Sequence, residues 1–153
     1  MTAETAWWEL GDENQYLWDH MIELLIDAGR TAEAEALACD LRWVGARLER
    51  FGLAAPAADL SAARTARAAR LRAVLDHTAH LLAPAEVPGA VVDVLHSRVA
   101  DDPDWGPQSA ALRGAYQRPR LVNRWPLPDL PDPGLRRKLA GHSGKLYVSR
   151  HLG

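Results

Sequence analysis

The sequence predicts an all-α fold of stacked antiparallel helical hairpins, followed by an extended C-terminal third. Apolar residues recur every three or four positions over the first hundred residues, as they do along one face of a helix. Alanine, the best helix former, is concentrated there, with 23 of the 27 alanines before residue 101. Nine of the ten prolines lie at or beyond Pro84, and proline interrupts a helix interior. Five of them fall within fifteen residues: Pro119, Pro126, Pro128, Pro131 and Pro133.

The first two predicted helices form a hairpin over residues 12–52. The first begins at Asp12, a plausible N-cap, and ends before Gly29, a residue type that favours the position after a helix. The second runs without interruption from Thr31 to Phe51, and the short connection between them makes the pair antiparallel. We expect this hairpin to be the stable nucleus of the fold, because local contacts close with little loop entropy.

Three further helices complete the predicted helical domain. They span residues 61–84, 88–100 and 106–116, each bounded by proline, glycine or an Asp-rich turn. After them the apolar residues Leu121, Trp125, Leu127 and Leu130 are expected to lie extended in a groove on the helices. A turn and a short strand, Leu146–Ser149, end the chain. The predicted segments are therefore an N-terminal lead (1–11), about five helices (12–118), a Pro-rich arm (119–134) and a C-terminal segment (135–153).

Composition excludes several functional classes. With 18 Lys and Arg against 20 Asp and Glu, the net charge is −2 and the pI is about 6.3, so no general nucleic-acid binding is expected. The single Cys39 excludes an internal disulfide and a multi-cysteine zinc site, and it fits a reducing compartment. Met1–Leu10 carries two glutamates, no lysine or arginine and no apolar core, so we expect no secretory leader. The sequence contains no run of ~18 apolar residues that could span a membrane. We therefore expect a cytoplasmic protein.

Motifs for catalysis and for metal binding are incomplete. Glycines never form a phosphate-binding loop, so we expect no ATP binding. His77 and His80, with Asp76 beside them, lack a third metal ligand, and a solvated helix face is the better interpretation. The acidic run Asp101–Asp104 lacks the glycine and glutamate of a calcium loop and is interpreted as a helix stop and turn. Cys39 is interpreted as a structural thiol. The sequence thus predicts a non-enzyme with no cofactor and no metal.

Two groups of side chains are candidates for protein contacts. Arg64, Arg67 and Arg70 repeat at three on the predicted third helix, as a solvated face or as a dock for an acidic surface. Six tryptophans stand beside a single phenylalanine, and tryptophan is enriched at interfaces. Trp18 and Trp43 are expected in the core. Contact with a neighbouring domain or with the arm's groove is an open alternative for three others: Trp7, Trp8 and Trp125.

The runs Glu13–Met21, Ala28–Arg30 and Asp40–Val44 resemble the helical arm of NB-ARC signalling ATPases that carry WD40 repeats, the family of apoptotic protease-activating factor and its bacterial relatives. The family pattern is an aromatic-rich first helix, a short turn and a second helix with an acidic-apolar-x-Trp centre. Its core signature falls here on five residues: Tyr16, Trp18, His20, Leu41 and Trp43.

The resemblance covers residues 12–149 and includes the arm Pro119–Pro126. Gly141 and His142 look like the entry to a first WD40 blade, which makes residues 135–153 a truncated WD40-like segment. The resemblance implies that the chain is a non-catalytic spacer between a nucleotide-binding switch and a WD40 propeller. The implied partners are the neighbouring NB-ARC and WD40 domains or their separate chains. Independently of the resemblance, the unpaired edge of the C-terminal strand is expected to fray or to pair with the same segment of a second copy.

A second function class stays open at this point. A free-standing α-helical protein could hold a small ligand between its hairpins, in a pocket lined by Trp18, Trp43, His20 and His77.

Overall fold

The computed structural model describes residues 6–82, 87 and 89–115. Helices account for 79% of these positions and none of them is in a strand, so the described chain is all-α. Short 3-10 helices occur at Trp7–Glu9, Asp12–Asn14 and Ala79–Leu81. The α-helices are α1 (Gln15–Asp27), α2 (Thr31–Ala38), α3 (Leu41–Phe51), α4 (Ala54–Ala63), α5 (Ala66–His77), α6 (Ala90–Val99) and α7 (Gly106–Ala115).

Three predicted helices correspond directly to α1, α6 and α7, although α1 begins at Gln15, after a 3-10 turn that contains Asp12. The other two predictions were wrong in extent. The helix expected over residues 31–51 is divided at Cys39–Asp40 into α2 and α3. The helix expected from Ser61 is replaced by α4, which starts earlier at Ala54, and by α5. The described part of the chain therefore has seven α-helices where the periodicity predicted about five.

The break between α2 and α3 is held by side chains from the other end of the described chain. Asp40 caps α3, and its carboxylate also accepts a hydrogen bond from Gln108 Nε2 at 2.9 Å. Gln108 Oε1 accepts from the backbone N–H of Leu41 at 3.1 Å. Trp105 Nε1 donates to the carbonyl of Cys39 at 2.8 Å. Backbone groups that a continuous helix would have paired internally are thus satisfied by residues near α7.

The break between α4 and α5 has a local cause. Arg64 adopts a left-handed conformation with φ 54°, which ends α4. Thr65 is extended, and its hydroxyl accepts a hydrogen bond from the backbone N–H of Ala68 at 3.1 Å, which starts α5.

The core is arranged around α4, which contacts α1, α2, α3 and α5. α3 also packs on α6, and α6 packs on α5 and α7. On α4, Ala57 is buried and Ala62 and Ala63 pack against the core, and such small side chains let helices approach closely. Gly106 allows a similar approach at the start of α7, because a Cβ there would lie 2.6 Å from the carbonyl oxygen of Ala100. The largest fully buried side chains are Trp18, Trp43 and Trp105.

Several predictions concern residues outside the described ones. They are the arm (119–134), the C-terminal segment (135–153) and the individual residues Trp125, Gly141 and His142. Among the described helices, none combines the length and the apolar character needed to cross a bilayer.

Replacement of Leu41 by alanine tests the register of the first 52 residues. Leu41 is 1% exposed and begins α3. We expect Leu41→Ala to lower the free energy of unfolding by about 2–5 kcal/mol, because it removes buried methyl groups and leaves a cavity. Leu24→Ala, at a site 38% exposed, is the control and should change it by less than about 0.5 kcal/mol. Chemical denaturation measures both, and equal losses would contradict the register.

Candidate functional site

A buried polar cluster of Trp43, Arg47 and Asp59 joins α3 to α4. Trp43 Nε1 donates to Asp59 Oδ2 at 2.9 Å, and Arg47 Nε donates to the same oxygen at 2.9 Å. Arg47 Nη2 donates to Asp59 Oδ1 at 3.2 Å. Arg47 is 4% exposed and Asp59 7%, so the pair is almost fully removed from water. Both carboxylate oxygens are used for bonds that hold helices together.

Burial raises the pKa of the Asp59 carboxyl, and the hydrogen bonds from Arg47 and Trp43 oppose that rise. A raised carboxyl pKa inside a cleft can mark a catalytic acid. Here the carboxyl faces an arginine and an indole rather than a cavity, which is the arrangement of a structural ion pair. Sequence reasoning missed both charged members. The available signal was Arg47 itself, a charged residue four positions after Trp43 on the apolar face of α3.

Trp18 of α1 lies directly on this cluster. Its ring stacks on that of Trp43, with centroids 4.9 Å apart and planes 16° from parallel. The stack leaves no ligand-sized space between two of the four residues proposed to line a pocket. The third, His20, lies half-exposed on α1, and the fourth, His77, is exposed on α5.

Cys39 is fully buried at the end of α2. Burial is the main cause that raises the pKa of its thiol to about 11. The thiol is therefore protonated at neutral pH, which agrees with the structural role expected from the sequence and not with a nucleophile.

The predicted basic stripe is not a stripe on one helix, and this corrects the sequence analysis. Arg64 is exposed in the left-handed turn after α4, whereas Arg67 and Arg70 lie on α5. The guanidinium groups of Arg67 and Arg70 lie 5.5 and 5.3 Å from the centroid of the Trp105 ring. Arg70 also pairs with Asp102 at 3.0 Å and with Asp104. Two of the three arginines are thus engaged within the fold.

The acidic run after α6 forms a turn, as the sequence predicts. Asp102 Oδ1 accepts hydrogen bonds from the backbone N–H of Asp104 at 2.8 Å and of Trp105 at 3.4 Å. Across residues 6–82 and 89–115, no group of three or more His, Cys, Asp or Glu side chains is placed to hold a metal ion.

The two N-terminal tryptophans pack on α3. They lie in the 3-10 helix Trp7–Glu9, both are half-buried, and Trp7 contacts the core. The Arg42 guanidinium lies 3.7 Å from the centroid of the Trp8 ring, a cation–π contact. The fold itself therefore covers part of both rings.

Part of the family-like core signature points outward, and this is a second correction. Trp18, Leu41 and Trp43 are buried, but Tyr16 is 65% exposed and His20 is half-exposed. Their rings contact each other, with centroids 4.8 Å apart. Leu24, four residues further along, is 38% exposed. We name Tyr16, His20 and Leu24 the α1 ridge.

A groove of about 490 Å³ lies between the N-terminal 3-10 helix, α3, α6 and α7. We name it the α3–α7 groove. Its walls include Trp8, Gly45, Val92, Leu112 and Ala115. Its size falls within the range of ~300–1,000 Å³ that is typical of binding sites.

Comparison with protein families, with curated proteins and with solved structures gives no match. The two surfaces, the α1 ridge and the α3–α7 groove, are therefore interpreted from their own geometry.

Replacement of Asp59 by alanine tests whether the buried cluster holds the fold. We expect Asp59→Ala to lower the free energy of unfolding by about 3–5 kcal/mol, because it leaves the Arg47 charge buried without its carboxylate. The double variant Arg47→Met, Asp59→Leu removes both charges and should recover most of the loss. Denaturant unfolding measures both variants, and a double variant as unstable as Asp59→Ala would contradict this role.

Thiol labelling tests the environment of Cys39. At pH 8 the native thiol should react with iodoacetamide at least ~100-fold more slowly than in denaturant, since a rise of about two pKa units lowers the thiolate fraction by that factor. In the native state the Cys39 thiol keeps its proton up to about pH 11. The stability that the protonated thiol contributes to the native state is therefore complete below pH 9 and is lost as the pH rises through 11. The variant Ala36→Cys places an exposed thiol on the same helix and is the control. Native Cys39 labelled as fast as this control would show that it is accessible.

Proposed function

We propose that this chain is a non-catalytic helical scaffold that works through protein–protein contacts. The role is that of the spacer between the nucleotide-binding switch and the WD40 propeller of signal-transducing STAND NTPases, the family whose helical arm the sequence resembles. Its partners in this proposal are NB-ARC and WD40 domains, in the same polypeptide or as separate chains. The poverty in cysteine favours a cytoplasmic location.

The α1 ridge is the observation that carries the proposal. Tyr16, His20 and Leu24 are spaced by four, so they share one face of α1. The opposite face is buried through residues such as Trp18, Ile22 and Leu25, so the ridge is not needed for the core. Single exposed apolar residues are ordinary, but a row of them on one helix face is typical of a contact surface.

Acidic side chains border the ridge. Asp19, Glu23 and Asp27 are exposed and are also spaced by four residues. Asp19 directly precedes His20, and Glu23 directly precedes Leu24. Glu23 Oε2 lies 3.2 Å from His20 Nδ1. An apolar centre with a charged rim is the common anatomy of a protein interface. The expected partner surface therefore has an apolar centre and lysine or arginine at its edge.

The buried face of α1 holds the α1 ridge rigidly against the core. Trp18, on the buried face of α1, stacks on Trp43, which is bonded to Asp59 on α4. A surface held this way loses little conformational freedom on binding, which lowers the entropic cost of association. A spacer between two moving domains needs that stiffness.

Serine substitutions on the ridge test the proposal. The intact chain is mixed with any protein encoded beside it that carries a phosphate-binding loop or WD40 repeats, and complexes are measured by analytical ultracentrifugation. We expect the wild type to bind at least one of them. We expect the double variant Tyr16→Ser, Leu24→Ser to bind at least tenfold more weakly, because it removes the apolar centre.

The control is Leu81→Ser, which changes a leucine of equal exposure, 39%, on a different element. It should bind like the wild type, and circular dichroism should show that all variants keep their helices. Wild-type affinity in the double variant, or no complex with either neighbour, would contradict the proposed function.

A further inference from the structure

We propose that the α3–α7 groove is the docking site for residues 119–127 of this same chain. The sequence predicts that these residues lie extended on the helices but does not say where. The groove is a specific docking site, and three of its features match the segment: its position beside the last described residue, its apolar walls and its charged rim.

The chain leaves the described residues at the groove itself. Leu112 and Ala115 line it, and Ala115 is the last residue of α7. Residue 119 follows four positions later, which places it within ~14 Å of Ala115 even when fully extended. A segment tethered this closely has an effective concentration in the millimolar range, which favours it over a separate molecule.

The walls of the groove suit an extended, Pro-containing segment. Trp8 presents an indole on one side, and aromatic-lined grooves are the usual seats of polyproline-type chains. Gly45 lets α3 and α6 approach closely at the floor of the groove, because a Cβ there would lie 3.3 Å from Val92 Cγ2. The segment offers three large apolar residues for this space: Leu121, Trp125 and Leu127. Its prolines, Pro119 and Pro126, reduce the entropy that docking costs.

Charge is complementary as well. Glu9 and Glu49 line the groove and are both exposed, whereas the Arg42 guanidinium that also lines it is already paired with Asp40 at 2.6 Å. The segment and the residue before it carry three arginines: Arg118, Arg120 and Arg124. Guanidinium groups at the edge would meet these carboxylates while the apolar residues enter the groove. Docking here does not depend on what binds the α1 ridge, because the two surfaces lie on different helices.

Hydrogen exchange of the full chain tests this assignment. In the wild type we expect amides 121–125 to exchange at least tenfold more slowly than an unstructured chain. Trp125→Ala and, independently, Glu49→Arg should each remove most of that protection. Two controls should leave it unchanged: Asp27→Arg, an identical charge change on α1, and Leu146→Ala, a loss of apolar side chain beyond the segment.

Cysteine cross-linking gives a second readout that does not depend on stability. The pair Glu49→Cys, Arg124→Cys should form an intrachain disulfide under mild oxidation, and the pair Asp27→Cys, Arg124→Cys should not; Cys39 is buried and can remain. Unprotected amides in the wild type, or protection that survives Glu49→Arg and no cross-link, would overturn the proposal. Protection that falls on dilution would also overturn it, because the occupant would then be a second copy.

Discussion

Burial of one carboxylate, Asp59, constrains the arrangement of the whole helical body. A charge removed from water must be paired, and Arg47 and Trp43 of α3 supply three hydrogen bonds across to α4. The orientation of Trp43 that this requires also presents its ring to Trp18, which fixes α1 by stacking. Because α4 also contacts α1, α2 and α5, the pairing of α3 with α4 constrains the positions of those three helices.

Long-range hydrogen bonds make the two ends of the described chain one cooperative unit. At the break between α2 and α3, the backbone N–H of Leu41 donates to Gln108 of α7. The carbonyl of Cys39 accepts from Trp105, which directly precedes α7. Arg67 and Arg70 of α5 lie against the same Trp105 ring, so α5 is tied to this junction. The predicted hairpin of residues 12–52 is consequently not self-contained. Its stability includes contacts with residues more than sixty positions away, which slows folding relative to a purely local hairpin.

The two proposed surfaces have different chemistry and would serve different occupants. The α1 ridge is exposed, with Tyr16 and Leu24 as its apolar residues and acidic residues at its border, which suits a partner that packs a helix or a flat patch against it. The α3–α7 groove is concave and is lined by Ala115, the last described residue, which suits a tethered segment. Neither surface depends on the Asp59 carboxyl or the Cys39 thiol. Asp59 and Cys39 are both buried in structural roles.

Periodicity, alanine content and punctuation by glycine and proline were sufficient to predict an all-α fold and the helices α1, α6 and α7, because helix formation depends mainly on local spacing. They did not predict that Cys39 and Asp40 would end one helix and start another, since the groups that stabilise the break come from Trp105 and Gln108. Nor did they select the buried face of α1. Large apolar residues lie on two of its faces, and Tyr16 and Trp18 are two residues, or about 200°, apart around the helix. Packing on Trp43 and α4 buries Trp18 and leaves Tyr16 in solvent. Only the tertiary structure decides such choices, because they depend on which neighbours are present.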